Sequence, residues 1–392
     1  MSSSGRVRAA LSRADDVVAM PHATRAAPTG APVLDGIRPR IVALGDPQAA
    51  AARVFTVLDH HGLLGEDGWL AADVHLVSMG DHLDWGGRDA REAAREDGAR
   101  LLAWCGAQDP AQVTMLAGNH DLSRVGELAG FDDVRFSAAQ AEADAASGAG
   151  AAAEAAFLTH YPAVPSAECI ARDFGSFSTL QQAWVRVLLQ RNRLVVAASH
   201  GDLLLCHAGV SRDELDAIGL QEAAHRDPRR IAGALQQVLR DALDTWDSAA
   251  PLALPVLHQP GNAAAGEGRG FFYHRPCQPR QGDEFLSDTP PPRRRFDARR
   301  LPRGLTQAIG HIRDGKCRTL LGDWCDDAPA IDGPLRSLVV RNAGIRYTRG
   351  LQAGAGPDAA TVLFLDGGLF HADPDRYELL DVVRRAPAKR MP

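Results

Sequence analysis

Three times between Arg40 and Asn119 a short apolar run stops at glycine and is followed at once by a carboxylate or a carboxamide. Ile41, Val42, Ala43 and Leu44 lead to Gly45-Asp46; Val74, Leu76, Val77 and Met79 lead to Gly80-Asp81; Val113, Thr114, Met115 and Leu116 lead to Gly118-Asn119. Short apolar runs bounded by turn residues read as buried strands. Val54, Val57 and Leu58 recur at helical spacing after the first, and a helix is predicted from about Asp89 to Trp104 after the second. Strands alternating with helices predict a parallel sheet with right-handed crossovers, whose ligands sit at the carboxyl ends of the strands. The three polar residues are therefore expected to face one site.

The remaining chain predicts one catalytic domain over residues 39–385, despite a length of 392. Residues 1–38, rich in Ser, Ala, Arg and Pro, read as a disordered or loosely attached arm. Residues 130–193, with an Ala-rich tract, read as an inserted helical cap. Leu194–Ala198 and Leu203–Cys206 predict a hairpin around Gly201-Asp202 that opens a second sheet, continued by Cys317–Leu321, Leu335–Val340 and Thr361–Leu365. Residues 287–303, with Pro290 to Arg295, read as a Pro/Arg-rich loop. The fold class expected is α/β: two packed sheets flanked by helices, with the cap inserted.

Composition excludes several classes. With 43 Lys and Arg against 49 Asp and Glu, the net charge of −6 argues against nonspecific nucleic-acid binding. No stretch reaches the ~18 apolar residues that would predict a membrane span, and the first residues lack the apolar run of a secretory leader. Six widely scattered cysteines have neither disulfide density nor paired zinc spacing, so reduced thiols and a cytoplasmic location are expected.

The strand-end residues, with Cys206-His207-Ala208-Gly209 and Gly310-His311, combine hard oxygen donors with two imidazoles. Such donors suit Mn, Fe or Zn, and a carboxylate shared by two ions can hold them ~3.5 to 4 Å apart. The ordered set Gly45-Asp46-Pro47-Gln48, Gly80-Asp81-His82-Leu83-Asp84-Trp85-Gly86, Gly118-Asn119-His120-Asp121, His207-Ala208-Gly209 and Gly310-His311 resembles the calcineurin-like metallophosphoesterases over about residues 40 to 370. Within them it is most similar to the serine/threonine phosphoprotein phosphatases of the bacterial, Shewanella-like type. The resemblance implies a four-layer α/β/β/α sandwich and two divalent ions, Mn favoured. One ion would take Asp46, Gln48 and the shared Asp81; the other would take Asp81, Asn119, His207 and His311. His120, oriented by Asp84, would protonate the leaving alkoxide while a metal-bridging hydroxide attacks a phosphomonoester of a protein or small molecule.

Two positions depart from that pattern. Gln48 stands where most relatives carry histidine, and a neutral carboxamide favours a harder ion such as Mn. Trp85 stands where the phosphatases carry a phosphate-gripping arginine, so Arg269 or Arg275 is expected to replace it. Hydrolysis of nucleotides or dinucleoside polyphosphates is the alternative reaction, and a metal-binding pseudoenzyme the alternative class. Gly310 to Cys317 nearly spells a phosphate loop, but Cys317 replaces its Ser or Thr, and Arg318 to Gly322 reads as a strand.

Overall fold

The predicted parallel strands form β1 (Arg40–Leu44), β2 (Val74–Ser78) and β3 (Val113–Leu116), paired side by side in a computed structural model that describes residues 3–24, 39–283, 286, 294–352 and 356–390. β4 (Leu194–Val195) extends this sheet beyond β3. The second sheet contains β5 (Ala197–His200) and β6 (Leu203–Cys206), an antiparallel pair. β7 (Arg275–Cys277) and β8 (Arg295–Asp297) form a separate small parallel pair. β9 (Thr306–Ile309), β10 (Arg336–Arg341), β11 (Gly344–Arg349) and β12 (Ala360–Phe364) complete the second sheet in the order β11-β10-β12-β9-β6-β5. The tail returns to the first sheet as β13 (Leu380–Asp381), antiparallel to β1, and β14 (Ala386–Pro387).

Alternate residues of a strand point to opposite faces, and both faces of these sheets are apolar. Ala43, Val77 and Leu116 from the first sheet pack against Leu205, Ala308 and Leu363 from the second, which makes the layer between them. Val42, Leu44 and Leu76 join the helical residues Phe55, Leu58 and Trp104. Two mixed sheets flanked by helices are thus the observed α/β architecture.

Helices α1 (Ser3–Val17), α2 (Ala51–His60) and α3 (Arg91–Ala107) pack together on the first sheet's side. α4 (Asn119–Ser123) begins directly after β3. α5 (Asp133–Ala146) and α6 (Ala151–His160) form the cap, and α7 (Thr179–Gln190) packs on α3 and β4. α8 (Arg212–Ala217) is short; α9 (Pro228–Thr245) covers β5 and β6, and α10 (Asp314–Leu321) lies beside β7.

Several expectations change. The arm predicted over 1–38 begins with α1: Ala10 and Ala14 are fully buried, and Val7, Leu11 and Val17 pack around them at helical spacing. Residues 25–38 lie outside the described residues. The predicted strand Cys317–Leu321 is instead α10, which buries Cys317, Leu320 and Leu321 on one face and pairs Asp314 with Arg318 one turn on. The run Leu194–Ala198 divides, its first two residues joining β3 and the rest turning into β5, so one chain segment links the sheets. The cap is shorter than 130–193, since Trp184, Val185 and Leu188 of α7 belong to the main core, while Phe136, Phe157, Ile170 and Phe177 close a core of the cap's own. Arg295–Asp297 of the Pro/Arg-rich segment is β8, and residues 287–293 lie outside the described residues. The first sheet also runs past residue 385 through β14.

His258 is fully buried, stacked 5.5 Å from the Tyr273 ring, with neither ring nitrogen hydrogen-bonded among the described residues. Burial pushes its imidazole down to about 3. An unfolded histidine titrates near pH ~6.5, so below that pH the unfolded chain takes up a proton that the folded chain refuses. Stability then falls by up to about 1.4 kcal/mol per pH unit until about pH 3. The urea midpoint is expected to drop between about pH 7 and about pH 5, and to drop less in His258→Leu. Equal drops in the two proteins would reject this role for His258.

Candidate metal centre

The site lies where the carboxyl ends of both sheets meet, and its backbone is held in costly conformations. Among the described residues, six non-glycine positions have positive φ, and three of them are Asp81 (57°), Asp84 (61°) and His311 (65°). Such conformations persist where surrounding bonds over-determine them. Here Asp121, fully buried, accepts from the amides of Gly118 at 2.9 Å and Asp81 at 3.0 Å, which ties the β2 and β3 loops together. Its carboxylate also takes His82 Nδ1 at 3.0 Å, while His82 Nε2 meets Ser78 Oγ at 2.8 Å. His82 is thus consumed inside the scaffold.

Asp81 Oδ1 accepts from the His120 amide at 2.9 Å, leaving Oδ2 3.4 Å from His207 Nε2. His207 Nδ1 donates to the Met79 carbonyl at 2.9 Å, so in the neutral ring Nε2 is the nitrogen that presents a lone pair. That nitrogen stands 3.3 Å from Asn119 Oδ1 and 3.2 Å from His311 Nδ1. Asp81, His207 and His311 each offer a donor atom within 4.8 Å of the others. Donors about 2.1 Å from a common ion stand roughly 3.0 to 3.4 Å from one another, and these separations match. Burial disfavours a proton on His207, but the Asp81 charge raises the imidazole, so a positive charge is favoured between the Asp81 carboxylate, the Asn119 oxygen and the His311 ring, and a divalent cation fits the same donors in place of that proton.

Asp46, after β1, accepts from the His311 amide through both oxygens, at 3.0 and 2.9 Å. Burial, then the charges of Asp366 and Asp81, push its carboxyl well above the usual range. Asp81 behaves oppositely: burial opposes its charge, but His207 and His120 draw it down to about 2. Burial, with Arg275 and His207 nearby, keeps His311 well below its ordinary value and therefore neutral. Gln48 donates its Nε2 to the Leu83 carbonyl at 2.9 Å and lines a cavity of about 160 Å³ with Asp46, Trp85 and Asp366. Trp85 packs at a tilt against Phe370, ring centres 5.5 Å apart.

His120 Nδ1 lies 3.0 Å from Asp84 Oδ2, as expected, and Arg124 grips both oxygens of Asp84 at 2.7 and 2.9 Å. Ser176 adds its amide and hydroxyl at 3.0 and 2.7 Å. Burial works against the Asp84 charge, yet Arg124 and His120 hold it well below the usual carboxylate range. For His120 burial disfavours the proton, but the Asp81 charge and the Asp84 bond outweigh it and raise the imidazole to about 9.

A cleft of about 300 Å³ opens over these groups, lined by Asn119, His120 and His311, by Arg275, Arg294 and Lys316, and by Phe174 and Arg172 of the cap. Of the two candidate arginines only Arg275 lines it. Arg269 lies outside, its backbone bridged to Gln259. A helix does follow Gly310–Arg313, contrary to expectation, but the His311 amide is taken by Asp46 and Cys317 Sγ is buried against the Ile312 carbonyl.

Asp121 closes the Gly118-Asn119-His120-Asp121 motif, though the sequence does not show that it ties the loops together, and no sequence pattern singles out Ser176, Lys316 or Asp366 as part of this centre. Arg124 is within reach of sequence reasoning, since it follows His120 by one helical turn. Neither a protein-family model nor a curated protein sequence matches this chain. Among the described residues no helix is long and apolar enough to cross a membrane.

Gly118 has no room for a side chain, because a Cβ there would fall 2.0 Å from Asp81 Oδ1. Gly118→Ala is expected to displace that carboxylate and weaken Mn binding at least about tenfold (~1.4 kcal/mol) by calorimetry. Binding equal to wild type would remove Asp81 from the ligand set.

Proposed function

We propose that this chain is a dinuclear metal-dependent phosphoesterase of the calcineurin-like type, acting on phosphomonoesters. The observation that carries the reading is the convergence of Asp81, His207 and His311 donor atoms beside a His120–Asp84 pair, at the floor of a cleft walled by Arg275. Asp46 and Gln48 would hold one ion and Asn119, His207 and His311 the other, with Asp81 between them. Two divalent ions so held polarise a phosphoryl oxygen and acidify water, without a covalent phosphoenzyme.

The protein's own groups do the rest. Arg275, whose Nη1 donates to the Tyr273 carbonyl at 3.2 Å, offers its remaining donors to a phosphate oxygen in the role vacated at Trp85. Asp84 fixes the His120 tautomer and favours the imidazolium, so Nε2 carries the proton that a leaving alkoxide needs. Phe174 stands edge-on to His120, ring centres 5.3 Å apart, and lines the same cleft.

A second reading, hydrolysis of nucleotides or dinucleoside polyphosphates, is favoured by Lys316 and Arg294, the latter ion-paired with Glu267, lining the same cleft as Arg275, where a second phosphate would be held. Hydrolysis of an aryl phosphate, a nucleoside triphosphate and a phosphopeptide in Mn, before and after chelation, tests both. Chelator-sensitive turnover of the first is expected. Ion binding without turnover of any of the three would instead identify a metal-binding interaction module.

A further inference from the structure

Asp46 and Asp366 come from different sheets and arrive at the same cavity by a close backbone approach. Gly45, past the end of β1, lies so near the strand end of β12 that a Cβ on it would sit 2.1 Å from the Leu365 carbonyl oxygen. The next residue of each segment is an aspartate, Asp46 on one and Asp366 on the other. Asp366 is 6% exposed and lines the cavity shared with Asp46 and Gln48. Its Oδ1 accepts from the Gly368 amide at 2.9 Å, while Oδ2 meets no hydrogen-bond donor among the described residues. The Arg336 guanidinium beneath bonds the backbone carbonyl of Asp366 rather than its carboxylate.

Two buried carboxylates that line one cavity repel each other unless a proton or a cation is held between them, and the Arg313 guanidinium that also lines the cavity is paired with Asp332. Gln48 completes the wall with a neutral oxygen, and its amide nitrogen is already committed to the Leu83 carbonyl. We infer that Asp366 is a further ligand of the ion held by Asp46 and Gln48, supplying the anionic donor that Gln48 lacks. The assignment rests on the two-ion reading above. Three carboxylates with a carboxamide oxygen make that position hard and oxygen-rich, which selects Mn or Mg over Zn.

Mn titrations of the metal-stripped full chain, followed by calorimetry and by the paramagnetic signal of free Mn, test the assignment. Wild type is expected to bind two ions. Asp366→Asn, which keeps the contact to Gly368, is expected to retain one ion with affinity within about twofold and to weaken the other at least about tenfold, and adding Gln48→His to that variant is expected to recover most of the loss. A purely structural role would lower the unfolding temperature of the stripped protein and weaken both ions together, and so would overturn the assignment, as would two ions bound with unchanged affinity. Should Asp366→Asn not fold, Asp366→Glu, which keeps the charge, carries the same expectation of a selective change in one ion only. A wild type that binds a single ion overturns both this assignment and the two-ion reading. Two ions in wild type, one selectively lost in Asp366→Asn and no phosphoester hydrolysed, would uphold the ligand and overturn the activity.

Discussion

Asp81→Ala is expected to reduce aryl phosphate hydrolysis at least about 10³-fold (~4 kcal/mol) and to remove tight Mn binding. The size follows from how many jobs one carboxylate does. Its Oδ1 takes the His120 amide at 2.9 Å and its Oδ2 stands 3.4 Å from His207 Nε2, so removing it frees the backbone of His120 and, in the proposed two-ion reading, would delete the donor that both ions share. His207 and His311 then face each other at 3.2 Å without the charge that draws a cation between them. Asp81→Asn, which keeps the shape, is expected to bind Mn more weakly than wild type and to remain nearly inactive. Wild-type turnover in either variant would reject the site.

The second large effect concerns the leaving group. His120→Asn is expected to lower kcat by about 10² or more for alkyl phosphates with poor leaving groups, and by much less for aryl phosphates whose leaving oxygen needs no proton. Mn affinity should change little, because the ring of His120 is turned to Asp84, with its Nε2 4.0 Å from Asp81 Oδ2. Arg124 enters the same account as a positioning residue. Its two bonds to Asp84 keep that carboxylate charged in a buried place, so Arg124→Ala should steepen the dependence on leaving group in the same sense as His120→Asn and also lower stability. Equal losses for good and poor leaving groups would deny His120 the role of acid.

Features that repeat locally are the ones legible in the residues alone. The three strand-Gly-polar units each carry strand pattern, turn and donor within a few residues, so β1 to β3 and the placement of Asp46, Asp81 and Asn119 at their ends follow from the amino-acid sequence. Strand pairing across the chain does not. Nothing near Leu194 signals that two residues join one sheet and the following ones the other, because both environments are buried and apolar. Arg318 to Leu321 resembles a strand since four residues are too short to separate the two periods, and the deciding Asp314–Arg318 pair begins upstream. Asp366 has the local pattern of a turn residue, and its chemistry depends on the approach of Gly45 to Leu365, which no local pattern encodes.

Crystals soaked in Mn and measured at a wavelength sensitive to its anomalous scattering test the two-ion centre most directly. One peak is expected among Asp81, Asn119, His207 and His311, and a second on the far side of Asp81 toward Asp46 and Gln48, ~3.5 to 4 Å away. A soak that leaves these side chains without a peak, or places Mn only at surface carboxylates, would contradict the account.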